Sequence, residues 1–167
     1  YWAGGLTRKG QMSALRAIRA LSSTEIDDPI RKGHAGYMAL LLDGADPTVS
    51  RDQVIRDLDA TAGPLQDLRH PYEGRVRALK AQLFVRTPSP HASQALDEAR
   101  AVAEAINDVE ERDFVLGMCA LAEVWLLERE ALQTNDWEHC ARVGGRATAD
   151  ARHPHLKAEF CLHHGRG

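Results

Sequence analysis

The pentapeptide DLRHP at residues 67–71 recurs as DARHP at residues 150–154, and this near-repeat decides how the sequence is interpreted. The two copies lie 83 residues apart, and half of that distance is about 42. Pro29 lies 42 residues before Pro71, and Asp113 lies midway between the prolines of the two pentapeptides. Four anchors at this spacing indicate a chain built from repeats of about 42 residues.

Side-chain size also recurs at fixed distances from these four anchors. The residue seven positions after each anchor, at position +7, is small, and the residue at position +8 is larger. The small residues are Gly36, Ala78, Ala120 and Cys161, and the residues that follow them are Tyr37, Leu79, Leu121 and Leu162. A small residue lets two helices approach closely, so we expect position +7 at helix crossings. A bulky replacement of Ala78 or Ala120 should then cost about 1–3 kcal/mol by overpacking.

The apolar residues predict helices along the whole chain. Alanine and leucine supply most of the 44% hydrophobic content, only 5% of the residues are aromatic, and the apolar spacing is helical throughout. We expect an all-α fold with eight helices, over Thr7 to Leu21, Thr24 to Leu42, Arg51 to Leu68, Tyr72 to Val85, Pro90 to Asn107, Val109 to Ala131, Asp136 to Ala151, and His155 to His164. The breaks between them are too short for domain linkers, so residues 1–167 are interpreted as one domain.

Capping residues mark several of the expected helix starts. Ser50 with Gln53 fits the capping box, in which each residue satisfies a backbone N–H of the other. Ser89 before Pro90 fits a cap followed by a first-turn proline. Asn135 is interpreted as the cap of the seventh helix.

The small-then-large crossing of each first helix, followed by an alanine-rich second helix, resembles the tetratricopeptide superfamily, especially the longer, degenerate repeats of bacterial regulatory proteins. The unit departs from that family's pattern, since it is about 42 rather than roughly 34 residues long and lacks its tryptophan and closing proline. The resemblance implies a right-handed αα-hairpin solenoid whose first helices line a concave groove.

Charge and apolar run length argue against two classes of partner. The net charge of -3 gives no reason to expect nucleic acid, and no apolar run approaches the roughly 20 residues of a membrane-spanning helix. The cysteines are odd in number and fall in helices, which favours reduced thiols in a cytoplasmic protein. Because the chain begins at Tyr1, we interpret it as a piece of a longer protein.

Motifs that carry chemistry are not evident in the sequence. It has no phosphate loop, dinucleotide glycine motif or nucleophile elbow, so we expect neither an enzyme nor a cofactor. Cys140, Cys161 and His164 could converge as zinc ligands, but their spacing fits no known finger and packing already explains Cys161. We therefore expect no metal. A helical enzyme is the third interpretation, and a metal at these three residues would favour it.

Basic residues on consecutive first helices suggest a binding groove. They are Arg31, Lys32, Arg75, Arg77 and Lys80. Equivalent positions would form a ladder that meets the carboxylates of a peptide partner. We expect a protein- or peptide-binding scaffold module of a larger regulatory or signalling protein. The alternative is a small-ligand-sensing domain of a bacterial transcriptional activator, with Tyr37, Phe84 and Trp125 lining its pocket.

Overall fold

The structure, a computed structural model, describes residues 37, 50–67, 70, 72–86 and 89–150. Five helices with complete bounds lie in this part of the chain: α1 (Arg51–Asp67), α2 (Tyr72–Arg86), α3 (Ala92–Glu104), α4 (Val109–Thr134) and α5 (Trp137–Asp150). Tyr37 is also helical, and none of the described residues forms a strand. The expected all-α class is thus confirmed for this part. The helices expected at Thr7 and His155 lie outside the described residues.

The five helices begin and end within three residues of their expected bounds. The cap at Ser50 is confirmed, since its Oγ accepts a hydrogen bond from the Gln53 N–H at 3.2 Å. The return bond of the capping box does not form, because the Gln53 side chain donates to Asp57 instead, at 2.8 Å. The cap expected at Ser89 is wrong, because His91 holds the N-cap position and α3 begins at Ala92, two residues later than expected. Ser89 Oγ accepts a hydrogen bond from the His91 N–H at 3.2 Å.

Asn135 was the wrong choice of cap for α5. Its backbone is left-handed, with φ at 61°, and its N–H donates to the Ala131 carbonyl at 2.7 Å, so it ends α4. Asparagine tolerates this conformation better than most residues. The next residue, Asp136, caps α5 by accepting from the His139 N–H at 3.2 Å. Asn135 thus ends α4, and the adjacent Asp136 begins α5.

The chain divides into two compact units, Tyr1–Tyr72 and Glu73–Gly167. In the first unit, α1 buries one apolar face consisting of Val54, Leu58, Ala62 and Leu65. Tyr37 is buried, and its ring stacks on that of Tyr72 with centroids 5.7 Å apart. His70 Nδ1 accepts a hydrogen bond from the Tyr72 N–H at 3.0 Å.

The second unit has a core dominated by small side chains. Fully buried alanines from three helices contribute to it, among them Ala78 on α2, Ala99 on α3 and Ala122 on α4. Larger residues such as Val115 and Val124 fill the space between them. Small side chains at the contact allow close helix spacing, which agrees with the expected alanine-rich packing.

Helices α2 and α3 run in opposite directions. Phe84, near the end of α2, packs against His91 just before α3, with ring centroids 6.3 Å apart. Arg77, earlier in α2, lies 3.9 Å from the carboxylate of Glu98, later in α3. The later position on α2 contacts the start of α3, and the earlier position on α2 contacts a later position on α3. The two helices therefore form an antiparallel hairpin.

Helices α2 and α4 run in the same direction. Arg75 near the start of α2 pairs with Glu111 near the start of α4. Further along both helices, the guanidinium of Arg86 lies 4.2 Å from the centre of a Trp125 ring. Helix α4 also packs against α3 and α5, to which it is joined by residues 105–108 and 135–136.

The approach of α2 to α4 is close at Gly74. A Cβ atom at Gly74 would lie 3.2 Å from both Val115 methyl carbons and 3.0 Å from Cδ1 of Ile106. This glycine lies one turn before Ala78, the expected crossing residue on α2. Ala78 itself is fully buried, whereas Ala120 is half-buried. The other two expected crossing residues, at positions 36 and 161, lie outside the described residues.

Candidate partner-binding surface

The predicted basic groove can be followed on α2, which carries Arg75, Arg77 and Lys80. Arg31 and Lys32 lie outside the described residues. In a regular helix, residues two apart point in nearly opposite directions, whereas residues five apart are separated by about 140°. The contacts of each side chain therefore decide which of these cations share a face.

Arg75 links α2 to α4. Its Nε donates to Oε1 of Glu111 at 2.5 Å, and its Nη2 pairs with Oε2 of the same carboxylate. The guanidinium carbon also lies 4.5 Å from the centre of the Phe114 ring. A bidentate pair with an aromatic face beneath it fixes the geometry of the guanidinium. A carboxylate from a partner would have to compete with Glu111 for Arg75.

Arg77 instead pairs within α2 and lies 3.9 Å from the carboxylate of Glu98 on α3. Its Nε donates to Oε1 of Glu73 at 2.8 Å, one turn earlier in α2. Lys80 holds its ammonium 5.6 Å from the centre of the Phe84 ring. The structure therefore does not bring Arg75 and Arg77 onto one face. The groove lined by these cations stays a prediction.

The aromatic residues suggested for a ligand pocket have cations against their rings. Trp125 and Phe84 are partly buried at the edge of the second unit's core. Arg86 covers a Trp125 ring, and Lys80 lies over that of Phe84. Tyr37 belongs to the first unit, where it stacks on Tyr72. Ligand sensing by these side chains also stays a prediction.

Both described cysteines are buried and free. Burial raises the pKa of the Cys119 thiol to about 11, while the Arg100 guanidinium lowers it by less and the Glu123 carboxylate raises it further. Burial also raises the pKa of Cys140, with a smaller contribution from Glu128. At neutral pH both thiols are protonated, so neither is an activated nucleophile.

No group of three or more His, Cys, Asp or Glu side chains in the described ranges is arranged to hold a metal ion. Cys161 and His164, two of the three zinc ligands considered above, lie outside those ranges. Of the helices that the structure describes, none has the length and apolar character needed to cross a bilayer.

The buried Cys119 thiol leads to a prediction about alkaline pH. Its pKa rises from about 9 to about 11 on folding, so the folded chain holds this proton more tightly. The resulting stabilisation is complete below about pH 9 and is lost as the pH rises through 11. In urea unfolding, wild type should lose stability over this window faster than Cys119→Ala. Parallel pH profiles for the two proteins would contradict the prediction.

Comparison of the chain with protein-family models, with curated proteins and with solved structures finds no match.

Sequence reasoning missed a second surface, at the connection between α4 and α5. Leu132 in the last turn of α4 is 73% exposed, and Trp137 at the start of α5 is 46% exposed. Glu130, Asp136 and Glu138, which are near them in the sequence, are exposed as well. We refer to Leu132 and Trp137 as the turn patch. The available signal was the position of two large apolar residues on either side of a helix break, where the repeat pattern assigns them no packing role.

Proposed function

We propose that this chain is a tetratricopeptide-like helical repeat that binds a protein or peptide partner, as a scaffold module of a larger regulatory or signalling protein. In this proposal it is a right-handed solenoid of about eight helices with repeats of about 42 residues. We further propose that it works in the cytoplasm of a bacterium, because its repeats resemble those of bacterial regulatory proteins and its cysteines favour a reducing compartment.

The observation that carries this proposal is contact between helices at residues that lie 35 to 44 positions apart in the chain. In the first unit, Tyr37 stacks on Tyr72, 35 residues later. In the second unit, the Gln82 amide donates to the Met118 carbonyl, 36 residues later, at 3.0 Å. Arg75 and Glu111 are also 36 residues apart.

A repeat of about 42 residues accounts for this spacing. Side-by-side helices of successive repeats that run in the same direction meet at spacings near the repeat length. The contacts between α2 and α4, 36 to 44 residues apart, have this form. The Tyr37–Tyr72 stack in the first unit lies at 35 residues.

The repeat suggests binding because of how such chains bury their apolar faces. Each helix pair contacts only its neighbours in the array, so the array grows lengthwise and keeps one extended surface open to a partner. Catalysis would instead gather titratable groups in one cleft. On α2 the cations are distributed, since Arg75 pairs toward α4 and Arg77 toward α3.

The test is partner capture with the whole chain as bait. The groove variant carries Arg31→Glu, Lys32→Glu and Lys80→Glu. Arg75 and Arg77 are left in place, because their loss would remove the ion pairs with Glu111 and Glu73 and confuse binding with stability. The matched control reverses three exposed arginines elsewhere, namely Arg56, Arg142 and Arg146. Both variants change the net charge equally.

A captured protein should be identified, purified and titrated against all three forms. Wild type and control should bind alike, and the groove variant should bind about 10-fold more weakly or not at all, since charge reversal at an interface is costly. Equal binding by both variants would reject Arg31, Lys32 and Lys80 as groove residues. Failure of wild type to bind any protein would reject the interaction module.

A further inference from the structure

Helices α2 and α4 are joined by polar contacts spread along their length. The contacts are those of Arg75 with Glu111, of the Gln82 amide with the Met118 carbonyl at 3.0 Å, and of the Arg129 guanidinium with the Val85 carbonyl at 3.1 Å. Two of them end on a backbone carbonyl, so they depend on where one helix lies along the other. We call the four side chains that make these contacts the register lock: Arg75, Gln82, Glu111 and Arg129.

The first two contacts keep the same offset along the chain. Arg75 and Glu111 are 36 residues apart, and so are Gln82 and Met118. Between these contacts both helices advance by the same number of residues, which is about two turns or about 10 Å. The third contact comes from further along α4, because long side chains on a helix lean toward its N-terminus. The helices are thus held in one register over several turns.

Apolar packing specifies this register less well, because the buried face of α2 is built from small residues. Gly74, Ala78 and Ala81 follow one another at helical spacing, and all three are buried. A shift by one turn would bring Ala78 to Val115 in place of Gly74. A Cβ atom there would lie 3.2 Å from both Val115 methyl carbons, which requires only a small adjustment. Packing of these side chains therefore opposes sliding only weakly.

Polar contacts discriminate between registers more sharply. A hydrogen bond is lost when its donor and acceptor move apart by more than about 0.5 Å, whereas sliding by one turn moves a helix by about 5.4 Å. The Glu111 side chain is 11% exposed, and a shift would take it away from the Arg75 guanidinium. A buried charge left without its partner is costly. Polar side chains at a helix interface are accordingly well suited to fixing register.

We propose that the register lock fixes the position of α2 along α4, which the alanine-rich core does not achieve by itself. The two helices then present one rigid surface, whose shape does not change by sliding. This inference goes beyond the proposed partner binding, since it holds whether or not the chain binds a partner.

The test measures sliding with pairs of spin labels on the whole chain. Labelled cysteines replace Arg86 at the end of α2 and either Glu110 or Gln133 near the two ends of α4, in a background whose native cysteines are alanine. All three positions are exposed, and Arg86 lies beside Trp125, between the two positions on α4. Sliding of α2 along α4 lengthens one distance and shortens the other, whereas separation of the helices lengthens both. Double electron–electron resonance measures both distances.

Two triple variants are compared with the labelled reference. The lock variant removes two of the three contacts without leaving a charge unpaired, and it carries Arg75→Met, Gln82→Met and Glu111→Met. The matched control makes the same three changes at an ion pair between α3 and α4 and at an exposed glutamine, and it carries Arg100→Met, Glu123→Met and Gln94→Met. Replacement of both partners of an ion pair by apolar residues is often tolerated. Circular dichroism checks that each form folds.

The reference and the control should each give one narrow distribution for each distance. The lock variant should add populations displaced by about 5 Å, in opposite directions for the two label pairs. Unchanged distances in a folded lock variant would overturn the proposal, because packing alone would then hold the register. Two distances that both lengthen, or a control that shifts as much as the lock variant, would also overturn it.

A lock variant that does not fold is replaced by its two parts, Gln82→Met and Arg75→Met/Glu111→Met. At least one of these should show the displaced populations. Reference-like distances in both would mean that the contacts stabilise the helix pair without setting its register, and the proposal would be rejected.

Discussion

Replacement of Gly74 by leucine is expected to destabilise the chain by about 2 kcal/mol. Gly74 is buried where α2 meets Val115 of α4 and Ile106 of the connection before it. A Cβ atom there would already lie 3.0–3.2 Å from their side-chain carbons, and leucine adds three more carbons. Overpacking of this kind costs up to about 3 kcal/mol. The better helix propensity of leucine returns somewhat less than about 1 kcal/mol.

The matched control for this prediction is Gly145→Leu on α5. No atom lies within 4 Å of a Cβ at Gly145, which is exposed in the middle of its helix. Leucine there should stabilise the protein by somewhat less than about 1 kcal/mol through helix propensity alone. Urea unfolding followed by circular dichroism gives both values. Equal effects of the two substitutions would mean that α2 and α4 do not approach closely at Gly74.

Much of the helical architecture could be predicted from the sequence because it is encoded locally. Apolar spacing and capping residues act within about one turn, and they located α1 to α5 to within three residues. The error at Asn135 has the same local origin, since Asn135 and Asp136 both suit a helix end. Their roles were separated only by the left-handed backbone of the first and the hydrogen bond of the second.

Contacts between helices were predicted less well, because they depend on which side of each helix faces which neighbour. Arg75 and Arg77 both lie on α2, yet one pairs with Glu111 of α4 and the other with Glu73 and Glu98. Sequence spacing alone placed them in one groove. The close approach at Gly74 was missed for a related reason, since it depends on how the helix axes cross and falls one turn away from Ala78, the small residue expected at the crossing.

The turn patch was missed because its significance lies in exposure. Trp137 follows the cap of α5 and by its spacing alone could have packed inward like Cys140, which is buried. Leu132 is likewise one of several leucines near the end of α4. A sequence shows that a residue is apolar, but whether the fold covers it depends on neighbours far along the chain.

Replacement of Ala78 by leucine is expected to cost about 3 kcal/mol, whereas the same change at Ala120 should cost less than about 1 kcal/mol. The proposed 42-residue repeat would make the two positions equivalent. Ala78 is fully buried in the core of the second unit, where added volume has no outlet. Ala120 packs against that core but is only half-buried, so a leucine there can extend toward solvent.

The comparison needs a baseline for an alanine-to-leucine change on an exposed helix surface. Ala101 on α3 is exposed and supplies it, with an expected change within about 0.5 kcal/mol. Free energies of unfolding for the three variants then separate packing from propensity. Equal, large costs at Ala78 and Ala120 would show that the two positions are packed alike, contrary to the difference in their burial. A large cost at Ala78 alone would mean that the fold packs the two positions differently, as the difference in their burial indicates.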